Sequence, residues 1–124
     1  MAKWANSNTL DGGLTYIKTN AVRMILLSAY TAGDSYATVT GNALCTITMA
    51  STDYTLSGTA NNPRILTTAT KSGTATATGT SNSIAFTDGS ATVIWVTSET
   101  SAQTVTSGNT VNFPALTYTS NQPT

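Results

Sequence analysis

The sequence predicts a small all-β protein: an antiparallel β-sandwich, jelly-roll-like, with one short N-terminal helix and extended termini. Three observations predict it. Hydroxyl side chains dominate, with 28 Thr and 13 Ser among 124 residues, and the branched Cβ of Thr suits a pleated strand. Hydrophobic residues make up 40% of the chain, enough for a packed core despite the scarcity of charge. Short apolar or alternating runs recur at close spacing, punctuated by Gly, Asn, Asp and Ser, as in sandwiches and barrels. An immunoglobulin-like sandwich is the second architecture this spacing allows.

A chain of this length forms one domain with a modest core. Residues 1–9 read as an extended arm, 10–119 as a single β domain and 120–124 as a tail. Asp11 is a candidate N-cap for a short helix, with Leu14 and Ile17 on one face and Asn20 as a stop. Gly12 and Gly13 weaken that helix. Val22 to Ala29 is apolar on both faces through Met24-Ile25-Leu26-Leu27 and suits a buried central strand. Ala32-Gly33-Asp34-Ser35 is a turn.

Leu44 to Met49 alternates, placing Cys45, Ile47 and Met49 on one face and Thr46 and Thr48 on the other. Tyr54 to Ser57 and Arg64 to Thr67 are further strands, separated by a turn at Asn61-Asn62-Pro63. The low-complexity stretch Gly73 to Gly79 reads as a strand of small side chains or as a flexible loop, with the strand favoured. Asn82 to Thr87 carries Ile84 and Phe86 on one face, and Asp88-Gly89 is a hairpin signal. Thr92 to Thr97 (TVIWVT) has the strongest strand character, which makes Trp95 a core candidate. Gln103 to Thr106 and Thr110 to Phe113 flank a turn at Ser107-Gly108-Asn109, and Thr117-Tyr118-Thr119 forms a last short strand.

Charge is sparse: five Lys and Arg balance five Asp and Glu. The cations Lys3, Lys18, Arg23, Arg64 and Lys71 are scattered, so no basic patch is present to neutralise phosphates and no nucleic-acid partner is expected. The longest apolar run is far too short to span a bilayer, and the first residues lack the apolar stretch of a secretory signal. With one cysteine, no disulfide framework forms, which fits folding in a reducing compartment. No membrane partner is expected, and synthesis in the cytoplasm is.

No catalytic chemistry stands out. The chain has no histidine, the commonest general base and a leading zinc ligand. Cys45 lies mid-strand on an apolar face and reads as a core thiol. The acids Asp11, Asp34, Asp53, Asp88 and Glu99 are far apart, and four suit caps or turns. Neither Gly33-Asp34-Ser35 nor Asp88-Gly89-Ser90 has the repeated acids of a calcium loop. No phosphate-binding glycine loop is present. The expectation is therefore no enzyme, no cofactor and no metal. Trp4 either packs back on the domain or anchors a partner. The dispersed tyrosines make no visible stacking platform.

The two ends of the chain carry a resemblance. The opening MAKWANSNTLDGGLTYIKTN (Met1 to Asn20) and the closing VIWVTSETSAQTVTSGNTVNFPALTYTSNQPT (Val93 to Thr124) resemble a family of small tailed-bacteriophage virion proteins, the capsid decoration or cement proteins. The middle, Gly41 to Ser83, carries no such signature. The resemblance implies a β-sandwich on the capsid exterior that bridges neighbouring subunits of the major capsid protein, in many copies and as a small homo-oligomer, dimer or trimer. It names no contact residues. Exposure and the lack of core periodicity select Lys3, Trp4, Asn6 and Asn8 at the N-terminus and Tyr118 and Asn121 at the C-terminus as partner-binding candidates. The alternatives are another phage structural component, such as a tail or head–tail connector protein, and a carbohydrate-binding module. The module would need exposed aromatics aligned on one face.

Overall fold

The computed structural model describes residues 6–59, 63–98 and 102–121. The fold is antiparallel and mostly β, as expected. Helix α1 (Ser7–Asn20) leads into β1 (Arg23–Leu27). A second helix, α2 (Tyr36–Gly41), connects β1 to β2 (Ala43–Thr48). After a 3-10 turn come β3 (Tyr54–Ser57), β4 (Arg64–Thr68), β5 (Lys71–Thr74), β6 (Gly79–Thr80), β7 (Ser83–Thr87), β8 (Val93–Ser98), β9 (Thr104–Val105), β10 (Thr110–Phe113) and β11 (Thr117–Ser120).

The strands form a four-stranded sheet β2-β1-β7-β8, a three-stranded sheet β11-β4-β3, and two short pairs, β10-β5 and β6-β9. From β4 onward the pairing is nested: β4 with β11, β5 with β10, β6 with β9 and β7 with β8. The second half of the chain is thus one long antiparallel ribbon folded back on itself about the β7–β8 turn. Nesting is one requirement of a jelly roll. The ladders group as four, three, two and two strands, so the jelly-roll topology is not established.

The apolar pattern explains the layers. One face of the four-stranded sheet presents Met24, Leu26, Cys45, Ile47, Ile84 and Phe86 to the main core. Leu14 and Ile17 of α1, Tyr54 and Leu66 of the three-stranded sheet, and Val111 and Phe113 of β10 complete that core. The other face carries Ile25, Leu27 and Ala85, which Val39 of α2 covers. Both faces of β1 are therefore buried, which is why its sequence shows no alternation. In β2 only one face is covered, and the expected split of Cys45, Ile47 and Met49 from Thr46 and Thr48 is found.

Several local expectations are corrected. The helix begins at Ser7, so residues 7–9 are helical and not part of an extended arm. Asn6 is the N-cap, accepting a hydrogen bond from the Thr9 N–H at 2.9 Å. Asp11 lies inside the helix and instead meets Arg64, 53 residues away, with Oδ1–Nε at 2.7 Å and Oδ2–Nη2 at 3.1 Å. Such a two-pronged pair fixes orientation and ties α1 to β4. Helix α2 has no counterpart in the expected elements. The Ser35 hydroxyl caps it by accepting from the Thr38 N–H.

The low-complexity stretch is not one strand: it breaks at 75–78 between β5 and β6. Ser120 belongs to β11, so the tail starts one residue later than expected. Asn61 and Asn62 of the expected turn lie outside the described residues, as do Lys3 and Trp4.

A candidate partner-binding edge

Strand β8 ends the four-stranded sheet and, among the described residues, pairs with β7 alone. What positions it is the turn before it. The Asp88 carboxylate accepts backbone N–H bonds from Ser90, Ala91 and Thr92, each at 2.9 Å. Those three donors hold its carboxyl well below the usual range. Gly89 adopts φ +79° there, a conformation that disfavours any side chain with a Cβ. Asp88-Gly89 thus starts the five-residue loop of the expected hairpin, which joins β7 to β8.

The register then skips one residue. Thr87 pairs with Val93 and Phe86 with Trp95, so Ile94 is the extra residue of a bulge. As a result Ile94 and Trp95 both pack toward the main core, while Val93 and Val96 pack toward the α2 side. None of these four reaches full burial. Trp95 was expected in the core; it is a half-buried edge residue. An apolar run cannot distinguish a central strand from an edge, because sheet order is set by pairings distant in sequence.

Trp95 is the third ring of a series that runs from core to surface. Tyr54 is buried and its centroid lies 6.3 Å from that of Phe86. Phe86 stacks on Trp95 at 4.6 Å with the planes 10° apart. Trp95 meets Tyr118 edge-on at 5.3 Å and 86°. Offset-stacked and edge-to-face contacts are the favourable ring geometries. Tyr118, on the terminal strand β11 of the other sheet, is 41% exposed. Among the described residues, the end strands of the two sheets therefore meet at Trp95 and Tyr118.

On the α2 side, a groove of about 400 Å³ runs along β8. It is lined by Tyr30, Tyr36 and residues 91–96, Trp95 included, with Asp34 and Ser35 among its polar lining. Asp34 is the groove's one carboxylate, and it accepts the Thr31 N–H at 2.9 Å.

The remaining predicted residues divide. Of the six partner-binding candidates, Tyr118 falls in this region. Asn121 is exposed just beyond β11. Asn6 is occupied as the helix cap, and Asn8 is exposed on α1. Because α1 packs on β4 and β11, Asn8 and Tyr118 sit on neighbouring elements. The sequence contained one signal for the site it did not name: TVIWVT is a largely apolar strand that carries no charge.

The other reactive groups have local duties. Cys45 is fully buried, burial pushes its thiol pKa up, and Sγ lies 3.5 Å from the Thr74 carbonyl. The Ala50 N–H at 2.8 Å, with Lys71 at 3.1 Å, holds the Asp53 carboxyl below its usual range. Among the described residues no group of three or more His, Cys, Asp or Glu comes together that could hold a metal ion. Glu99 lies outside them.

No protein family, curated protein or solved structure matches the chain.

Proposed function

We propose that this chain is a structural virion protein that docks on the outside of a tailed-phage capsid and stabilises it by bridging major capsid subunits. The observation that carries the assembly role is the β8 edge: an uncharged, apolar strand left half-open along both faces and flanked by an exposed tyrosine. Natural sheets protect such edges with charge, proline or a cover. Among the described residues only the bulge at Ile94 serves that purpose, and Trp95 to Ser98 continue in regular register beyond it. An edge of this kind is stable in a monomer only at some risk of association, so a partner that covers it explains its composition.

The resemblance of the two chain ends to capsid decoration proteins supplies the identity of that partner. The electrostatics agree with a docking role. Asp11, Asp34, Asp53 and Asp88 each accept a hydrogen bond within the chain, so each has a local part in the fold. A decoration protein needs no reaction. By binding the assembled shell and not its separated subunits, it shifts the balance toward the shell by mass action.

Co-sedimentation with mature shells lacking the decoration protein tests this. Saturable binding at a fixed ratio to the major capsid protein, with a higher shell disruption temperature, is expected. No binding to any shell form, or self-assembly into rings or tubes by negative-stain microscopy, would replace it with a tail or connector role.

A further inference from the structure

We infer that β11 is a releasable strap: held at Leu116, it lifts off β4 as a unit while α1 and the remaining strands keep their places, baring the β4 edge and the side of Trp95 that Tyr118 meets. Such a strap operates in the free chain, whatever the chain docks on.

The two outer strands of the three-stranded sheet flank the same β4 and are held very differently. β3 is fastened into the core. Its Tyr54 is fully buried, with the ring near Phe86 and the hydroxyl bonded to the Ala21 carbonyl, and Leu56 packs against the same core. In β11, Thr117, Tyr118 and Thr119 are exposed and Ser120 is half-buried. Among the described residues β11 pairs with β4 alone, and Tyr118 adds an edge-on contact with Trp95 at the rim. Little apolar surface is uncovered when such a strand leaves. Its ladder bonds are exchanged for bonds to water at small net cost, and the freed residues regain backbone freedom. Strands held this way open at the low end of a protein's range of local stabilities.

The hinge and the limit of the opening are also defined. Leu116 packs against the main core, accepts the Thr68 N–H at 2.9 Å and donates its own N–H to Thr68 Oγ1 at 2.9 Å. Thr68 is almost fully buried, so the opening stops at Leu116. Helix α1 rests on both β4 and β11, yet it stays behind: Asp11 is tied to Arg64 of β4, and Leu14 and Ile17 are sealed in the core. With the strap up, β4 becomes the end strand of its sheet. That edge is bared only in the fraction of molecules whose strap is open.

The ladder supplies its own control. Alternate residues of an antiparallel strand turn their N–H groups to opposite neighbours. The Thr68 N–H bonds to the Leu116 carbonyl, so the Leu66 N–H faces β11, whereas those of Ile65 and Thr67 face β3. Adjacent amides of one strand therefore report on different openings.

The test is native-state amide hydrogen exchange on the full chain, resolved by residue and corrected for intrinsic rates. The Leu66 and Tyr118 amides should exchange about tenfold or more faster than those of Ile65 and Thr67. Their rates should respond only weakly to low concentrations of denaturant, because a small opening exposes little surface. Tyr118→Ala should speed Leu66 further and leave Ile65 and Thr67 nearly unchanged. Leu66 exchanging at the rate of Ile65 and Thr67, or Tyr118→Ala accelerating all three alike, would overturn the inference by making β11 part of the cooperative core. Should the variant fail to fold, the wild-type rates decide alone.

Discussion

The two edges of the four-stranded sheet are finished differently. At the β2 edge, the chain supplies its own cover. The Thr76 N–H donates to the Leu44 carbonyl at 2.8 Å, and Gly73 lies so close that a Cβ there would stand 3.0 Å from Ile47 Cγ1 and 3.3 Å from Cys45 Sγ. At the β8 edge, among the described residues, no strand follows. The sequences reflect this: β2 alternates buried and exposed positions from Cys45 to Thr48, while β8 is half-buried from Val93 to Thr97. An edge closed from within needs only one apolar face. An apolar edge left open is composed for contact with something outside the chain.

The contrast can be broken or sharpened by substitution. The largest effect belongs to the sealed interior that both edges share. Phe86→Ala removes a fully buried ring between Tyr54 and Trp95 and should cost about 3–5 kcal/mol in chemical denaturation. Trp95→Ala removes a larger ring but should cost less, because that ring is only partly buried. Equal costs would mean that the β8 edge is not open in solution.

Next comes the closed edge. Gly73→Ala should destabilise by about 1–3 kcal/mol through overpacking against Ile47 and Cys45, measured the same way. A neutral result would mean that β2 is less tightly covered than its geometry indicates.

Tyr54→Phe probes the core beneath. The buried hydroxyl donates to the Ala21 carbonyl at 2.7 Å, so its loss should cost about 1–3 kcal/mol. Burial first, and the charge of Asp53 second, push the phenol pKa above its ordinary 10.0. A group whose pKa is raised by folding contributes fully below its unfolded value and loses that contribution as pH rises above it. The wild type should therefore lose stability above about pH 10 more steeply than Tyr54→Phe. Parallel curves would remove Tyr54 as the cause.

Asp88→Asn should lower the melting temperature slightly at neutral pH, by weakening the loop that launches β8. Here folding depresses the pKa, so the stabilisation is present above about pH 4 and fades as pH falls below it. The gap between variant and wild type should narrow in acid. A constant gap would mean that the carboxylate's charge contributes nothing. The smallest expected effect on stability is that of Ser98→Lys, within about 0.5 kcal/mol, since Ser98 is already exposed at the end of β8.

Much of the strand content was legible because it is local. The unbroken Met24 to Leu27 run marks a strand covered on both sides, and the alternation from Cys45 to Met49 marks one covered on a single side. What was not legible depends on distant partners. The start of α1 was hidden because Asp11, a plausible cap by type, is held by Arg64 across 53 residues. Helix α2 was hidden because Tyr36–Gly41 is short and carries β-branched residues and a glycine, and it is held by Ser35 and by burial of Val39. The candidate site was half visible. TVIWVT announced an apolar strand, and Tyr118 was singled out for exposure. Their meeting follows from both strands ending their sheets, which no local pattern encodes.

The nested ribbon also sets an order of events during synthesis. β4 bonds to β11 on one side, and the Leu116 N–H donates to Thr68 Oγ1 across 48 residues. At ordinary translation speeds of about 5–20 residues per second, β4 waits roughly 2–10 s for that partner, with only the β3 side able to pair in the meantime. Contacts so distant in sequence slow folding. Until β11 arrives, the growing chain displays Leu66, later a sealed core residue, beside an unsatisfied backbone. This is the interval in which a crowded cell full of identical nascent chains has its best opportunity to mispair them.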